Sequence, residues 1–308
     1  MLDVLLVLVG IAGLAYGGDL LVRNASRLAR GMGISPLVVG LTVVAFGTSA
    51  PELAASLAAA LRGSPEIALA NVVGSNVANV GLILGASALM WPLATTWSFV
   101  RREVAVMVGA SLLAAVLLWD GALVRVEAAV LLLGLAGFLV VAFRGDGAPQ
   151  TVPATTSATR GPRARPALLA LAGIALLAVA AHALVTGAVS LAAAWGVSER
   201  VIGLTMVAVG TSLPELASSV AAALRRQGDI VLGNIVGSNV FNLLSVLALA
   251  GLVQPLQADA AALRFDLLVM LVFAAVVVPI AVTGWRVGRR EGAALLVGYL
   301  AYVLFVLA

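Results

Sequence analysis

The sequence predicts an all-α membrane protein of ten transmembrane helices, built as two inverted five-helix repeats. Three observations carry that prediction. The 308 residues are 62% hydrophobic and only 10% charged, with a mean hydropathy of +1.14, whereas soluble domains run at about 45–50% apolar and about 25% charged. The apolar residues form ten continuous runs that suit helical crossings of roughly 20 residues, and they do not alternate, which excludes a β-barrel. Residues 33–89 recur at 196–252 with a constant offset of 163 and no gap, 32 of 57 positions being identical. Chance does not produce such a match, so the chain carries an internal duplication.

The predicted spans are 3–24, 35–61, 66–90, 98–119, 122–143, 166–194, 198–224, 229–253, 264–284 and 291–308. Residues 1–143 form the first repeat and 166–308 the second. Between them, 144–165 is rich in Pro, Thr, Ala and Gly, too polar to cross and too short to fold alone, and reads as a linker. The start, Met1-Leu2-Asp3-Val4, has no basic region and no small-residue cleavage site, so the first run reads as a retained helix rather than a signal peptide. All five tryptophans, Trp91, Trp97, Trp119, Trp195 and Trp285, fall at or near span ends, where indoles prefer the membrane interface.

The eighteen basic residues are all arginines, and the sequence pI is 10.6. Clustered on a soluble face they would suggest nucleic acid, but they are scattered in the short gaps between apolar runs. Fourteen lie in the odd-numbered gaps and four in the even-numbered ones. Because basic loops stay in the cytoplasm, the odd gaps and the linker are cytoplasmic and both termini lie outside. Five crossings per half, an odd number, make the second copy enter the membrane from the opposite side, so the repeats are inverted, an arrangement that sets a transport site at the midplane.

The copied residues include the polar ones. Gly47-Thr48-Ser49-Ala50-Pro51-Glu52-Leu53 recurs as Gly210-Thr211-Ser212-Leu213-Pro214-Glu215-Leu216. On a helix Ala45, Thr48, Ser49 and Glu52 share one face, as do Ala208, Thr211, Ser212 and Glu215. Pro51 and Pro214 lack an amide hydrogen and break the helix, freeing carbonyls around Ala45 to Thr48 and their second-copy equivalents. Broken backbone survives in a membrane only where protein or a polar cavity surrounds it, and the end of a half-helix adds partial negative charge. A glutamate at helix mid-depth costs on the order of 2.5–3.5 kcal/mol if it resembles aspartate, and no arginine lies near the middle of a predicted span to pair with either. The two carboxylates supply a charge of −2 in an oxygen cage, which suits one Ca2+ or several Na+. Softer metals would want histidine or cysteine, and the chain has one histidine and no cysteine.

Downstream, Gly74-Ser75-Asn76-Val77-Ala78-Asn79 recurs as Gly237-Ser238-Asn239-Val240-Phe241-Asn242. Ser75 with Asn79, and Ser238 with Asn242, are four apart and point at one site. Asn76 and Asn239 lie off that face and read as ties between helices, and Asn71 and Asn234 as structural. Asp19 and His182 occupy equivalent positions in the first and sixth spans, where structure or gating is favoured over ion binding. Gly17-Gly18, and Gly134 with Gly137, read as close helix contacts. Arg101-Arg102 and Arg289-Arg290 read as topology determinants that also touch anionic lipid.

Taken together, Gly-Thr-Ser-x-Pro-Glu-Leu followed by Gly-Ser-Asn-x-x-Asn, twice in inverted halves, resembles the calcium/cation antiporter superfamily, in particular its prokaryotic sodium/calcium exchanger branch. The resemblance covers essentially the whole chain. It implies exchange of Ca2+ for Na+ by alternating access, with the first and sixth helices sliding over the other eight. It also implies a central calcium site of the Glu52 and Glu215 carboxylates with backbone oxygens of Thr48 and Thr211. Sodium sites would flank it, using Ala45, Ser49 and Ser75 on one side and Ala208, Ser212 and Ser238 on the other, with Asn79 and Asn242 completing the middle. Some relatives carry Asp where this chain has Asn242, and the Asn resembles the potassium-independent exchangers. The short linker implies no soluble regulatory domain.

These readings imply a secondary antiporter that extrudes Ca2+, not an enzyme, with no cofactor, in a bacterial or archaeal plasma membrane. The partners implied are Ca2+, Na+ and lipid, with no nucleic acid, and the chain is compatible with a monomer. The alternatives are a proton/calcium exchanger of the same superfamily and a passive cation channel. An intramembrane hydrolase is disfavoured, because no Ser/Lys or paired-Asp arrangement accompanies His182.

Overall fold

A computed structural model describes residues 2–144, 164–195 and 208–307. Nearly all of the linker predicted at 144–165 lies outside these, as does the opening of the second motif copy, 196–207. The described chain is helical: α1 (Leu2–Met32), α2 (Pro36–Thr48), α3 (Ala50–Leu61), α4 (Pro65–Met90), α5 (97–117), α6 (Arg125–Arg144), α7 (Ala164–Ala194), α8 (Ala208–Thr211), α9 (Leu213–Leu224), α10 (Gly228–Val253), α11 (Ala260–Val282) and α12 (Arg289–Leu307). Six of these, α1, α4, α6, α7, α10 and α11, are long and apolar enough to cross a membrane, and the bent pair α2–α3 makes a seventh. The other three predicted spans correspond to α5, α8 with α9, and α12.

Local chemistry accounts for the breaks. Ser35 caps α2 by accepting the Val38 amide at 3.3 Å, and Pro36 sits in the first turn, where its missing amide costs nothing. The helix then stops at Thr48. Ser49 has φ −80° and ψ 3°, α3 restarts with Pro51 in its first turn, and the two axes differ by 41°. The second copy does the same at Ser212, with φ −85° and ψ 4°. One expected detail differs: the Ala45 carbonyl is not freed by the break, since it still accepts the Ser49 amide at 3.0 Å, and only its second lone pair is available.

Burial separates the helices into layers. Of the most apolar eighteen residues, 78% are buried in α4 and 89% in α10, against 28% in both α1 and α7. Small residues let the inner helices close up. A methyl added at Gly237 of α10 would meet the Leu41 carbonyl oxygen of α2 at 2.5 Å. On the outside, α1 and α7 run side by side, and a methyl at Gly13 would lie 2.7 Å from the Ala180 side chain. Gly17 and Gly18 make the expected close contacts, with Leu177 and with the Ala217 carbonyl. Gly134 and Gly137 do not: the first meets Leu244 at an ordinary 3.4 Å, and the second has no described neighbour within 4 Å.

Two short strand pairs join the halves. β1 (Leu93–Ala94) pairs antiparallel with β4 (Arg286–Val287), and β2 (Ala122–Leu123) with β3 (Leu256–Gln257). Leu93 and Leu256 are equivalent under the 163-residue offset, as are Gly121 and Gly284, both at positive φ, 91° and 68°. The pseudo-symmetry therefore extends past the duplicated motif into the turns, where few side chains are shared but both copies keep the glycine that a positive φ requires.

Candidate cation site

The two helix breaks bring Thr48, Ser49 and Glu52 against Thr211, Ser212 and Glu215. Both glutamates are almost completely removed from solvent, at 0% and 1% exposed. The serines cross over. Ser49 Oγ donates to Glu215 Oε1 at 3.0 Å, and Ser212 Oγ donates to Glu52 Oε1 at 3.0 Å. Each repeat thus supplies the carboxylate for the other repeat's hydroxyl, which brings both carboxylates to the same pair of helix breaks. The remaining oxygens, Glu52 Oε2 and Glu215 Oε2, have no hydrogen-bond partner among the described residues. Buried carboxylate oxygens without partners are costly unless something else satisfies them, and a cation does so.

The inner helices carry further buried polar groups. Ser75 and Ser238 are 2% and 0% exposed, Asn79 and Asn242 1% and 0%. Among the described residues, both ends of the Asn79 and Asn242 amides, together with Ser238 Oγ, lack hydrogen-bond partners. Each asparagine opens a π-helical segment, Asn79–Leu84 in α4 and Asn242–Val246 in α10, a distortion that recurs at functional sites because it re-aims side chains and carbonyls. Ser75 Oγ lies 3.2 Å from Ser212 Oγ, the hydroxyl that donates to Glu52. Ala45 is fully buried on α2, and Ala208 opens α8.

Among the described residues no group of three acidic or histidine side chains comes together, so the fixed charge here is that of two glutamates. Asp19 is elsewhere. It pairs with Arg225 at the end of α9, whose Nε lies 2.6 Å from Oδ1, and with Arg23 at 2.7 Å, which matches the structural or gating reading. His182 is exposed on α7. Asn239 is an expected tie between helices, donating to Met107 Sδ of α5 at 3.5 Å as well as to its own helix's Ile235 carbonyl at 3.1 Å, whereas the Asn76 amide nitrogen goes only to the Val72 carbonyl of its own helix, at 2.7 Å. A residue four back along the same helix is the nearest carbonyl to such a side chain. Further ties run through Asn71 and Asn234. Sequence reasoning missed their serine partners Ser56 and Ser219, although both copies of the motif carry them.

Two carboxylates sealed between broken membrane helices, ringed by hydroxyls and amides with unsatisfied oxygens, define a membrane protein that handles cations. Residues 2–144 and 166–308 match the family described as sodium/calcium exchanger protein, and the chain belongs to that family, one of transporters rather than enzymes. It is 39% identical to CaxA of Alkalimonas amylolytica, with 96% of each chain aligned, and 32% identical to the sodium/calcium exchanger MaX1 of Methanosarcina acetivorans, with 97% of each aligned. The fold is similar to that of the sodium-calcium exchanger NCX_Mj in crystals soaked with 10 mM Na+ and zero Ca2+, with a TM-score of 0.88 at 32% identity over 98% of both chains.

Proposed function

We propose that this antiporter exchanges Na+ for Ca2+ by alternating access and that it extrudes Ca2+. The observation that carries the reading is the crossover of Ser49 to Glu215 and Ser212 to Glu52, because it joins two carboxylates in one buried site whose charge of −2 is balanced by one Ca2+ or by more than one Na+. In this reading Glu52 and Glu215 hold Ca2+ with backbone oxygens of Thr48 and Thr211. Na+ occupies flanking positions at Ala45, Ser49 and Ser75 on one side and at Ala208, Ser212 and Ser238 on the other. Asn79 and Asn242 complete the middle. Asn242, where an Asp would add a third charge, supports exchange that does not need K+.

The two ions compete for the same glutamates, and the empty site, doubly charged, is too costly to carry across. Loading by either species removes that barrier, so inward movement of Na+ is tied to outward movement of Ca2+. We further propose that α1, α2–α3, α4, α5 and α6 form one five-helix repeat over 1–143 and that α7, α8–α9, α10, α11 and α12 form its inverted mate over 166–308. The linker 144–165 then lies in the cytoplasm, both termini lie outside, and the protein sits in the plasma membrane.

The test is 45Ca2+ uptake into proteoliposomes loaded with Na+, compared with Na+-free liposomes holding a pH gradient. Uptake that requires internal Na+ is the expected result. Uptake driven by the pH gradient alone would assign proton coupling instead, and a unitary conductance in planar bilayers would assign a channel.

A further inference from the structure

Two asparagines outside the proposed ligand set connect the half-sites. Asn71 Nδ2 donates within its own repeat, to the Glu52 carbonyl at 3.2 Å and to Ser56 Oγ at 2.9 Å. That occupies both of its hydrogens. Its Oδ1 therefore faces the other way as an acceptor, and it meets Thr211 Oγ1 of the other repeat at 3.2 Å. Asn234 does the same in reverse. Its nitrogen lies 3.4 Å from the Glu215 carbonyl, 3.2 Å from Ser218 Oγ and 2.9 Å from Ser219 Oγ, and its Oδ1 meets Thr48 Oγ1 at 3.3 Å. Both asparagines are buried.

The polarity of these contacts has a chemical consequence. A threonine hydroxyl carries a single hydrogen, and inside a helix that hydrogen ordinarily goes to a carbonyl three or four residues back. Thr48 has two such choices, Val44 O at 3.1 Å and Ala45 O at 3.4 Å, and in the exchange reading the free lone pair of Ala45 O is a cation ligand. Asn234 competes for that hydrogen from the far side. The same asparagine is anchored to the backbone of Glu215, so the end of α2 and the glutamate of α9 are joined through one side chain.

We propose that Asn71 and Asn234 are positioning residues for the cation. Each accepts from the opposite repeat's threonine hydroxyl and so fixes its orientation; in the first repeat this draws the Thr48 hydrogen away from the second lone pair of the Ala45 carbonyl. Each also ties that threonine to its own repeat's glutamate, so the two half-sites change together. The inference rests on the exchange reading and adds to it two residues that touch no ion.

Equilibrium 45Ca2+ binding to the full-length protein tests it, with melting temperature in the absence of Ca2+ measured alongside. The variants are N71A, T211V, N234A, T48V, the matched doubles N71A/T211V and N234A/T48V, and the mismatched double N71A/T48V. Each single substitution is expected to raise the Kd by about three- to tenfold, the worth of one hydrogen bond. Each matched double should be no worse than its weaker-binding single, while the mismatched double multiplies the two effects. N76A, also buried but bonded only within its own helix, should lower the melting temperature and leave the Kd unchanged. Should N71A fail to fold, the Asn234–Thr48 cycle decides alone. Matched doubles that multiply like the mismatched one, or N76A raising the Kd as much as N71A, would overturn the proposal while leaving the exchange reading intact. Wild-type protein that binds no Ca2+ would overturn both.

Discussion

The inner pair of helices, α4 and α10, and the outer pair, α1 and α7, are each related by the same 163-residue offset, yet they solve opposite problems. The inner pair is buried and carries Ser75, Asn79, Ser238 and Asn242 among its covered residues. The outer pair is mostly exposed along apolar faces such as Leu8, Ile11, Leu168 and Val179. Polar side chains are tolerated at membrane depth only where protein surrounds them, so α4 and α10 can carry a site and α1 and α7 cannot. The outer pair meets the rest through close packing and a few polar contacts: Gly18 on the Ala217 carbonyl, Ile174 and Val185 of α7 against Gly47 and Gly210, Ser26 Oγ 2.9 Å from Gln227 Oε1, and the Asp19–Arg225 ion pair.

The sharpest way to break the comparison is to remove charge from the centre. Glu52→Gln and Glu215→Gln should each lower Ca2+ transport at least about a hundredfold, since losing one partner from a buried charged site costs about 3 kcal/mol or more. No outer-pair substitution should approach that in the same uptake assay. Acid probes the same centre. Protons compete with cations for the two glutamates, so the KM for Ca2+ should rise as pH falls, by about tenfold per pH unit where one proton competes and at most about a hundredfold where both do, and saturating Ca2+ should restore the rate. A KM independent of pH through the range where carboxylates titrate would contradict shared occupancy.

Packing separates the layers by smaller amounts. Gly237→Ala drives a methyl against the Leu41 carbonyl and the Ala45 side chain, which only a backbone shift relieves, and should destabilise by about 2–3 kcal/mol. Gly13→Ala meets chiefly the Ala180 methyl and should cost about 1 kcal/mol, both read from thermal unfolding in detergent. Smallest is Asp19→Asn. The carboxylate is 30% exposed, so its loss should cost about 1 kcal/mol or less and should shrink in high salt, with Ca2+ binding unchanged.

Much of this was legible in the sequence, for reasons that particular residues show. Glu52 and Pro51 stand out because a carboxylate and a helix breaker are costly in an apolar run, and the offset copies at Pro214 and Glu215 double that signal. The span at 35–61 matches α2–α3 almost to the residue, because Ser35 and Pro36 are a capping pair. The first span, read as 3–24, extends instead to Met32, since Arg23, Arg27 and Arg30 mark a loop by charge but remain helical once Asp19 pairs with Arg23 a turn away. Which serine meets which glutamate was not legible at all. The spacing of Ser49 and Glu52 says that they share a face, but only tertiary packing sends Ser49 to Glu215 and Ser75 to Ser212. The strand pairs at 93–94 and 122–123 escaped for the same reason, two residues being too short for any period to show.

The crossed serines bear on what duplication has done for this protein. Two copies of a motif ordinarily confer redundancy, one copy covering for damage to the other. Here Ser49 serves Glu215, Ser212 serves Glu52, and Asn71 and Asn234 reach across in the same way. Neither half owns a complete set, so a lesion in either is dominant over the intact sequence in the other, and the second copy doubles the number of positions at which function can be lost.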